Sequence, residues 1–438
     1  MLLIYSSYIN TRLSYIVATL LGESVSITTD KDVFKQHHGE RINYSDESIT
    51  ENECRIQPFG LLNETGIDEQ QISCRWWKDK KIFFETHGDI PFDIFSASFY
   101  LITRYEEYLP YAPDEYGRYE HTNSLAYKEG FLDSPLVNQW VAELGNLLTE
   151  KFPSFQLRVT NFRLIPTYDI DIAYSYLYHP LYRNVFGFYR DLLLGKFEAV
   201  SERAGVYSGS KKDPFDVYDW LDELHKKYQL EPIYFFLMAE KRKGKDKNIA
   251  PGAKAMRNLI KRHHGKYAVG IHPSLQTKND TEIIKKELGF LLKAGAGKVT
   301  RSRQHYIRIR FPDTYRSLVD AGITDEYSMG YSDSNGFRAS YVLPFSWYDL
   351  CSETHTSLVI HPFCFMDATA SFQQRVSAEQ AWEELTEYYE KVRSVGGELI
   401  TIYHNHFLTE QDEWIEWRNR YALFLANHFN NQMASASI

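Results

Sequence analysis

From about residue 160 the chain alternates between short apolar runs and helical stretches, and this rhythm limits the possible folds more than any other feature. Strands that alternate with helices favour a parallel sheet, either open or closed into a barrel. Polar residues gather at the C-terminal ends of the runs, which favours a barrel with its functional site on that face. The strand-like runs cover residues 163–174, 231–239, 267–274, 299–309, 325–331, 357–365 and 398–407. Helices are predicted at 214–228, 253–264, 279–294, 313–321 and 377–395.

The N-terminal part of the chain lacks this rhythm and predicts a smaller α/β domain ahead of the barrel. Phe92, Phe95, Phe99 and Ile102 recur at helical spacing, so we expect a buried helix over 92–105.

A second helix is expected over 135–150, because Pro153 would end it. The expected domains are therefore residues 1–158 and residues 159–438. The charged end of the first helix, with Arg104, Glu106 and Glu107, is assigned to a domain interface, and an extension of the substrate cleft is the alternative.

Composition and charge narrow the classes of partner. The 438 residues carry a formal net charge of −9, which disfavours nucleic acid as a partner. No run approaches the ~18 apolar residues of a membrane span. The N-terminus lacks the pattern of a signal peptide, and the four scattered cysteines form no disulfide framework. We therefore expect a cytoplasmic protein without a membrane span, of undetermined oligomeric state.

Aromatic residues make up 15% of the chain. Large tyrosine-containing cores are the simpler explanation, and a ring-lined groove for sugars is the alternative. The charged segment KRKGKDKNIAPG, residues 241–252, is expected to be a solvated surface loop, with contact to an anionic ligand as the alternative.

Three predicted strand ends carry polar residues two positions apart, which point to the same face of an extended segment. His272 ends a fourth strand, just before Pro273. If these strands are neighbours, carboxylates, imidazoles and a guanidinium converge on one cleft. The pairs are Asp169 and Asp171 in TYDID, Arg303 and His305 in SRQHY, and His404 and His406 in YHNHF.

Such a set of side chains suits metal-assisted hydrolysis. A zinc-like ion binds a carboxylate and neutral imidazoles and leaves one position for water. A second carboxylate can take the proton of that water, an arginine can orient this carboxylate, and a histidine opposite can protonate the leaving group.

Residues 160–430 resemble the polysaccharide deacetylase (NodB homology) superfamily, carbohydrate esterase family 4. The resemblance implies a distorted (β/α)7 barrel that removes N- or O-acetyl groups with a Zn, Co or Ni ion. TYDID resembles the family's first motif, TFDD or a D-x-D variant, which implies Asp169 as the general base and Asp171 as a metal ligand. IYHN resembles the fifth motif, an apolar strand ending in His-Asp, which implies His404 as the general acid, with Asn405 in the Asp position.

Two further motifs depart from the family pattern. HPSLQ, beginning at His272, resembles the second motif, H-x-x-x-H, but has Gln276 where the family has its second metal-binding histidine. SRQHY resembles the third motif and implies that Arg303 orients the base, but it lacks the motif's proline and adds His305. The third ligand is therefore Gln276 or His305. We favour His305, because glutamine is a rare zinc ligand, and the expected metal site is Asp171, His272 and His305.

Residues 325–350 resemble the loop-rich stretch that follows the third motif. The resemblance implies that Asp333, Arg338 and Trp347 line the substrate groove, and turn residues with a surface ion pair are the alternative.

Tyr168, Gln276 and His406 complete the predicted substrate contacts. Asp367 ends another strand and either reaches the cleft or caps the next helix, whereas His361 is assigned to packing. Residues 1–160 resemble, more loosely, an N-terminal domain that precedes such barrels in bacterial homologues.

Together these observations predict a metal-dependent hydrolase that releases acetate from an acetylated sugar, a glycan precursor or a small amide. Zinc is the expected ion, and Co, Ni, Mn and Fe are compatible with the same ligands. A non-catalytic carbohydrate-binding or assembly protein, or a cyclic amide hydrolase, is the alternative. Metal-free glycoside hydrolysis by Asp169 and Asp171 would leave the histidines without a role.

Overall fold

The computed structural model describes residues 2–157 and 160–429, which form an α/β fold with two mainly parallel sheets. The strands of the N-terminal part are β1 (Leu3–Ser6), β2 (Ser26–Thr28), β3 (Arg41–Tyr44), β4 (Cys54–Arg55), β5 (Arg75–Trp77) and β6 (Lys80–Ile82). Its helices are α1 (Thr11–Leu21), α2 (Lys31–Gln36), α3 (Ile94–Ile102), α4 (Leu125–Lys128) and α5 (Leu136–Lys151). Strands β2-β1-β3-β4 form a parallel sheet in this order, and β5 and β6 form an antiparallel hairpin.

The C-terminal part contains a nine-stranded sheet flanked by helices. Its strands are β7 (Arg163–Ile170), β8 (Ile233–Leu237), β9 (Ala268–His272), β10 (Arg301–Ser302), β11 (Asp325–Glu326), β12 (Phe345–Asp349), β13 (Thr354–Ile360), β14 (Phe365–Met366) and β15 (Glu398–His404). Its helices are α6 (Leu181–Leu193), α7 (Phe197–Ser208), α8 (Tyr218–Tyr228), α9 (Lys254–His264), α10 (Thr281–Lys293), α11 (Asp313–Asp320), α12 (Ala378–Val395) and α13 (Ile415–Phe429). The order is β12-β13-β11-β10-β9-β8-β7-β15-β14, and only β12 runs antiparallel to its neighbour.

The sheet is curved, but its hydrogen-bonded order has two ends. Tyr327, just after β11, and Met366 on β14 belong to one buried cluster with Phe235 of β8, although their strands lie far apart in the sheet order. One face of the sheet is therefore concave. Within the described ranges no ladder joins β12 to β14, so the structure shows a curved α/β sheet, and its closure into a distorted barrel stays a prediction.

Each predicted strand after residue 160 overlaps an observed one, and each predicted helix contains an observed one. The two N-terminal helices are also present, and α3 begins later than Phe92 because Asp93 caps it. The Asp93 side chain accepts hydrogen bonds from the backbone N–H groups of Phe95 and Ser96.

A buried ionic network joins the N-terminal part to the large sheet, as the sequence predicts for the charged end of α3. Arg104 donates to Glu106 and to Glu107, at 2.6 and 2.7 Å, and to the hydroxyl of Tyr331 at 3.1 Å. Glu107 also pairs with Arg338, which follows β11 along the chain. Every one of these side chains is buried, so the two parts share a common interior.

None of the described helices combines the length and the apolar character that crossing a membrane would require.

Candidate active site

A cavity of about 670 Å³ opens at the C-terminal ends of β7, β9 and β15 and of the short strand β10. Asp169, Asp171, His272, His305 and His404 line it. The structure therefore brings together the carboxylates and imidazoles that the sequence places at strand ends, because parallel strands present their C-terminal ends at one edge.

The direction of the side chains on β7 follows from strand alternation. Asp169 and Asp171 face the cavity, whereas Tyr168 points to the opposite side of the sheet. There the Tyr168 hydroxyl lies 2.8 Å from Nε2 of His225, and its ring stacks on Tyr234. This placement in the core corrects the assignment of Tyr168 as a substrate contact.

Three side chains at the centre of the cavity form a potential metal site. One donor atom from each of Asp171, His272 and His305 lies within 4.8 Å of the other two. His272 Nε2 is 3.2 Å from Asp171 Oδ1, and His305 Nε2 is 3.4 Å from Asp171 Oδ2. Burial alone would raise the pKa of Asp171, but the two imidazoles outweigh it and hold that pKa well below its usual range.

Hydrogen bonds on the far side of both rings direct Nε2 towards the centre of this site. His272 Nδ1 lies 2.5 Å from the carbonyl oxygen of Arg303, and His305 Nδ1 lies 2.9 Å from Asp246. Since both partners only accept hydrogen bonds, each Nδ1 carries a proton, and each Nε2 is directed at the Asp171 carboxylate. Asp171 Oδ1 is buried and has no hydrogen-bond partner within the described residues. Two imidazole nitrogens and a carboxylate oxygen that converge in this way are donor atoms that a zinc-like cation binds.

Asp246 is a site residue that the sequence analysis missed. It lies in segment 241–252, which was expected to be a solvated loop, yet Asp246 and Asn248 are buried. The Asn248 amide donates to the carbonyl oxygens at the ends of β7 and β8, and its side-chain oxygen accepts from Ala173 N, so these bonds fix the loop against the sheet. Burial lowers the pKa of His305, but the Asp171 and Asp246 carboxylates outweigh it and raise that pKa to about 9.

Gln276 lies behind the potential metal site. Its amide donates to Asp246 Oδ2 at 2.9 Å, and so it supports the carboxylate that orients His305. Of the two residues considered for the third ligand, the structure places His305 next to Asp171 and Gln276 one layer further out.

Arg303 lies beneath Asp169 and is fully buried. Its Nη1 is 2.7 Å from Thr167 Oγ1 and 3.5 Å from Asp169 Oδ1, and its guanidinium lies over the ring of Phe235. These contacts hold a positive charge under the Asp169 carboxylate, whose other oxygen is 3.7 Å from Nε2 of His272.

His404 is held on the opposite side of the site by Asp367. The Asp367 carboxylate accepts from the backbone N–H of His404 and from its Nδ1, each at 2.7 Å. His404 Nε2 is then 3.7 Å from Asp171. Burial lowers the pKa of His404, but Asp367 outweighs it and raises that pKa to about 9. Asp367 therefore reaches the site, whereas the Asn405 amide points away and donates to the backbone of Ile172.

The remaining predicted substrate contacts divide into two groups. Asp333 and His406 line the cavity. Arg338 and Trp347 do not, because Arg338 is buried against Glu107 and Trp347 packs in the core with its indole near the hydroxyl of Tyr108.

Residues 114–120 of the N-terminal part form one wall of the cavity, which the sequence did not predict. The ring of Tyr116 packs against that of Tyr306 at a centroid distance of 5.1 Å, and Arg118 donates to the Tyr306 carbonyl at 2.7 Å. Tyr306 follows His305 directly and has a positive φ of 63°, an uncommon conformation for such a side chain.

Comparisons with known proteins find a family model that matches the N-terminal part and assign no role to the cavity. Residues 2–153 match a family of unknown function, DUF7033. None of the curated proteins matches the chain. A crystal structure described as a "putative polysaccharide deacetylase from Mycobacterium smegmatis" is similar with a TM-score of 0.38 and 12% identity, over 64% of this chain and 92% of that one. A likeness this weak assigns no activity.

Proposed function

We propose that this protein is a divalent-metal-dependent hydrolase that removes an acetyl group from a carbohydrate or a related small amide. One observation carries the proposal: a three-donor cluster lies at the centre of a cavity, with a buried Asp–Arg pair on one side and an Asp–His pair on the other. The distorted (β/α)7 barrel of deacetylases is part of the proposal, and the curvature of the large sheet supports it.

The donor set fits a zinc-like ion. Asp171, His272 and His305 supply one carboxylate and two imidazoles, which leaves room for water and substrate. The unpartnered Asp171 Oδ1 and the oriented Nε2 atoms support this assignment. Cobalt, nickel, manganese and iron accept the same ligands.

A bound divalent ion supplies Lewis acidity, which polarises an acyl carbonyl and lowers the pKa of water. Asp169 is the candidate general base, because its carboxylate lies beside the donor cluster and Arg303 keeps a positive charge next to it. His404 is the candidate general acid, because Asp367 holds its Nδ1 and leaves Nε2 facing the cavity. Asp169 and His404 are thus both next to the donor cluster, the first to remove a proton and the second to donate one.

The residues that line the cavity favour a substrate with a polar ring. Its volume is within the range of small-molecule sites. Tyr116 and Tyr306 offer aromatic faces, while Asp333 offers a carboxylate for hydroxyl or amide groups.

The test combines metal analysis with acetate release from a panel of N-acetyl and O-acetyl sugars and cyclic amides. We expect about one divalent ion per chain, lost in Asp171→Ala. Asp169→Asn should keep the ion and lower kcat by about 10²–10⁴-fold. Asp325→Asn is the matched control, because Asp325 also pairs with a histidine but lies outside the cavity. Absence of bound metal after incubation with Zn or Co would refute the proposal and favour a carbohydrate-binding protein.

A further inference from the structure

We propose that the helical pair α6–α7, together with the basic segment 241–247, binds the surface of an anionic phospholipid bilayer. Helix α6 exposes large apolar side chains to an extent that is unusual for a globular protein. The exposed fractions are 74% for Leu181, 75% for Tyr182, 79% for Phe186 and 86% for Leu193. Contiguous apolar surface of this kind marks an interaction site.

These residues form a continuous stripe. Tyr182, Phe186, Tyr189 and Leu193 follow one another at intervals of four, three and four residues, so they share one face of the helix. Phe197, at the start of α7, is also exposed. A stripe rich in aromatic residues and leucine is typical of helices that lie in the interface of a bilayer.

The inner face of the same helical pair is polar. Asn184 and Asp191 are the buried residues of α6, and both bond to Arg203 of α7, at 3.1 and 2.7 Å. Gly187 allows this packing, because a Cβ there would lie 2.8 Å from an Arg203 nitrogen. The pair therefore buries the ion pair of Asp191 and Arg203 and exposes large apolar side chains, the reverse of the usual arrangement in water. This inversion argues that the apolar side has an apolar environment of its own.

Positive charge beside the stripe indicates the kind of apolar environment that the stripe contacts. Segment KRKGKDK, residues 241–247, has five exposed Lys or Arg side chains and one buried acid, in a chain of net charge −9. Arg183 of α6 donates to the backbone carbonyl of Lys247, so this basic segment contacts the helix. Apolar and aromatic side chains next to clustered cations match the acyl chains and anionic head groups of a bilayer.

The basic segment also reaches the cavity, because Lys245 lines it and Asp246 holds His305. Binding to a bilayer would therefore bring the cavity close to the lipid surface. The attachment itself does not depend on the proposed hydrolase function.

Flotation with phosphatidylcholine vesicles, with and without phosphatidylglycerol, tests the proposal in the absence of substrate. The full chain should float with anionic vesicles, and the double variant Phe186→Ser, Leu193→Ser should lower binding by about tenfold or more. Reversing the charges of Arg242 and Lys243 to Glu should weaken binding, as should added salt. The matched control is Leu292→Ser, because Leu292 lies on α10 and is 60% exposed.

All of these side chains are exposed, so each variant should keep the thermal unfolding midpoint of the parent chain. No flotation of the parent chain, or flotation that Phe186→Ser, Leu193→Ser leaves unchanged, would overturn the proposal. A dimer that this double variant dissociates, without vesicle binding, would overturn it in favour of contact between two copies. The Asp171→Ala variant should float like the parent, which separates this result from any failure of the hydrolase proposal.

Discussion

Replacement of Asp246 is the sharpest test of how the candidate metal site is held. The carboxylate accepts three hydrogen bonds: from His305 Nδ1 at 2.9 Å, from Leu275 N at 3.1 Å and from Gln276 Nε2 at 2.9 Å. It does not face Asp171, so a change here acts on metal binding only through the orientation and basicity of His305.

The expected loss follows from the number of these bonds that each variant keeps. Asp246→Asn retains one oxygen that can accept from His305 Nδ1 but loses the negative charge. Asp246→Ala removes the acceptor and also leaves the Leu275 N–H unsatisfied. Groups that orient a ligand in this way contribute about 10–100-fold to metal affinity, or about 1.4–2.8 kcal/mol. We place Asp246→Asn near the lower limit and Asp246→Ala near the upper one.

Isothermal titration of the chelator-treated protein with Zn²⁺ measures this effect directly. Asp325→Asn again serves as the control, because it removes a carboxylate that pairs with His361 at 3.1 Å outside the cavity. Equal zinc affinity in Asp246→Ala and the parent chain would refute the role of this bond, and a matching loss in Asp325→Asn would show that the effect is not local.

Three further predictions concern stability. Glu107→Ala leaves the buried Arg338 guanidinium without its carboxylate partner and leaves Arg104 paired with Glu106 alone, so denaturant unfolding should show a loss of about 3–5 kcal/mol. The exposed Glu282→Ala should cost less than about 1 kcal/mol. Burial lowers the pKa of His361, but Asp325 and Glu398 outweigh it and raise it. The interaction of protonated His361 with these two carboxylates therefore stabilises the folded state fully at about pH 5.5. This stabilisation is lost as the pH rises through the raised pKa of His361. The difference in unfolding free energy between the parent chain and His361→Gln should accordingly shrink towards about pH 9, and an equal difference at both pH values would contradict the assignment. Chelation should lower the thermal unfolding midpoint of the metal-loaded protein, and added Zn²⁺ should restore it, whereas an unchanged midpoint would argue against a structural contribution of the ion.

Simple periodicity was sufficient to predict where the polar side chains meet. Asp171, His272 and His305 are far apart along the chain, yet each lies at the C-terminal end of a parallel strand, and parallel pairing brings these ends together. The same alternation places Tyr168 on the opposite face from Asp169. The signal that excludes Tyr168 from the cavity was therefore already present in the sequence.

The supporting residues could not be found in this way, because their partners depend on tertiary packing. Asp246 lies in a lysine-rich segment whose composition predicts a solvated loop. Only its contacts with His305 and Gln276 show that the Asp246 side chain is buried. In the sequence, Asp367 is equally compatible with a role as a helix cap. Only the pairing of β14 with β15 places it beside His404. The antiparallel strand β12 lies within residues 325–350, which the sequence analysis compared with a loop-rich stretch, so its pairing with β13 was not predicted.

The pairing of Glu107 with Arg338 has a consequence for protein engineering. Arg338 belongs to the part of the chain that carries the cavity, but the carboxylate that neutralises it comes from the N-terminal part. A shortened chain beginning near residue 160 would retain a desolvated cation without its counter-ion and would also lack the cavity wall at residues 114–120. The cavity-bearing part is thus not structurally independent, and any chimeric protein that contains it must contain the N-terminal part as well.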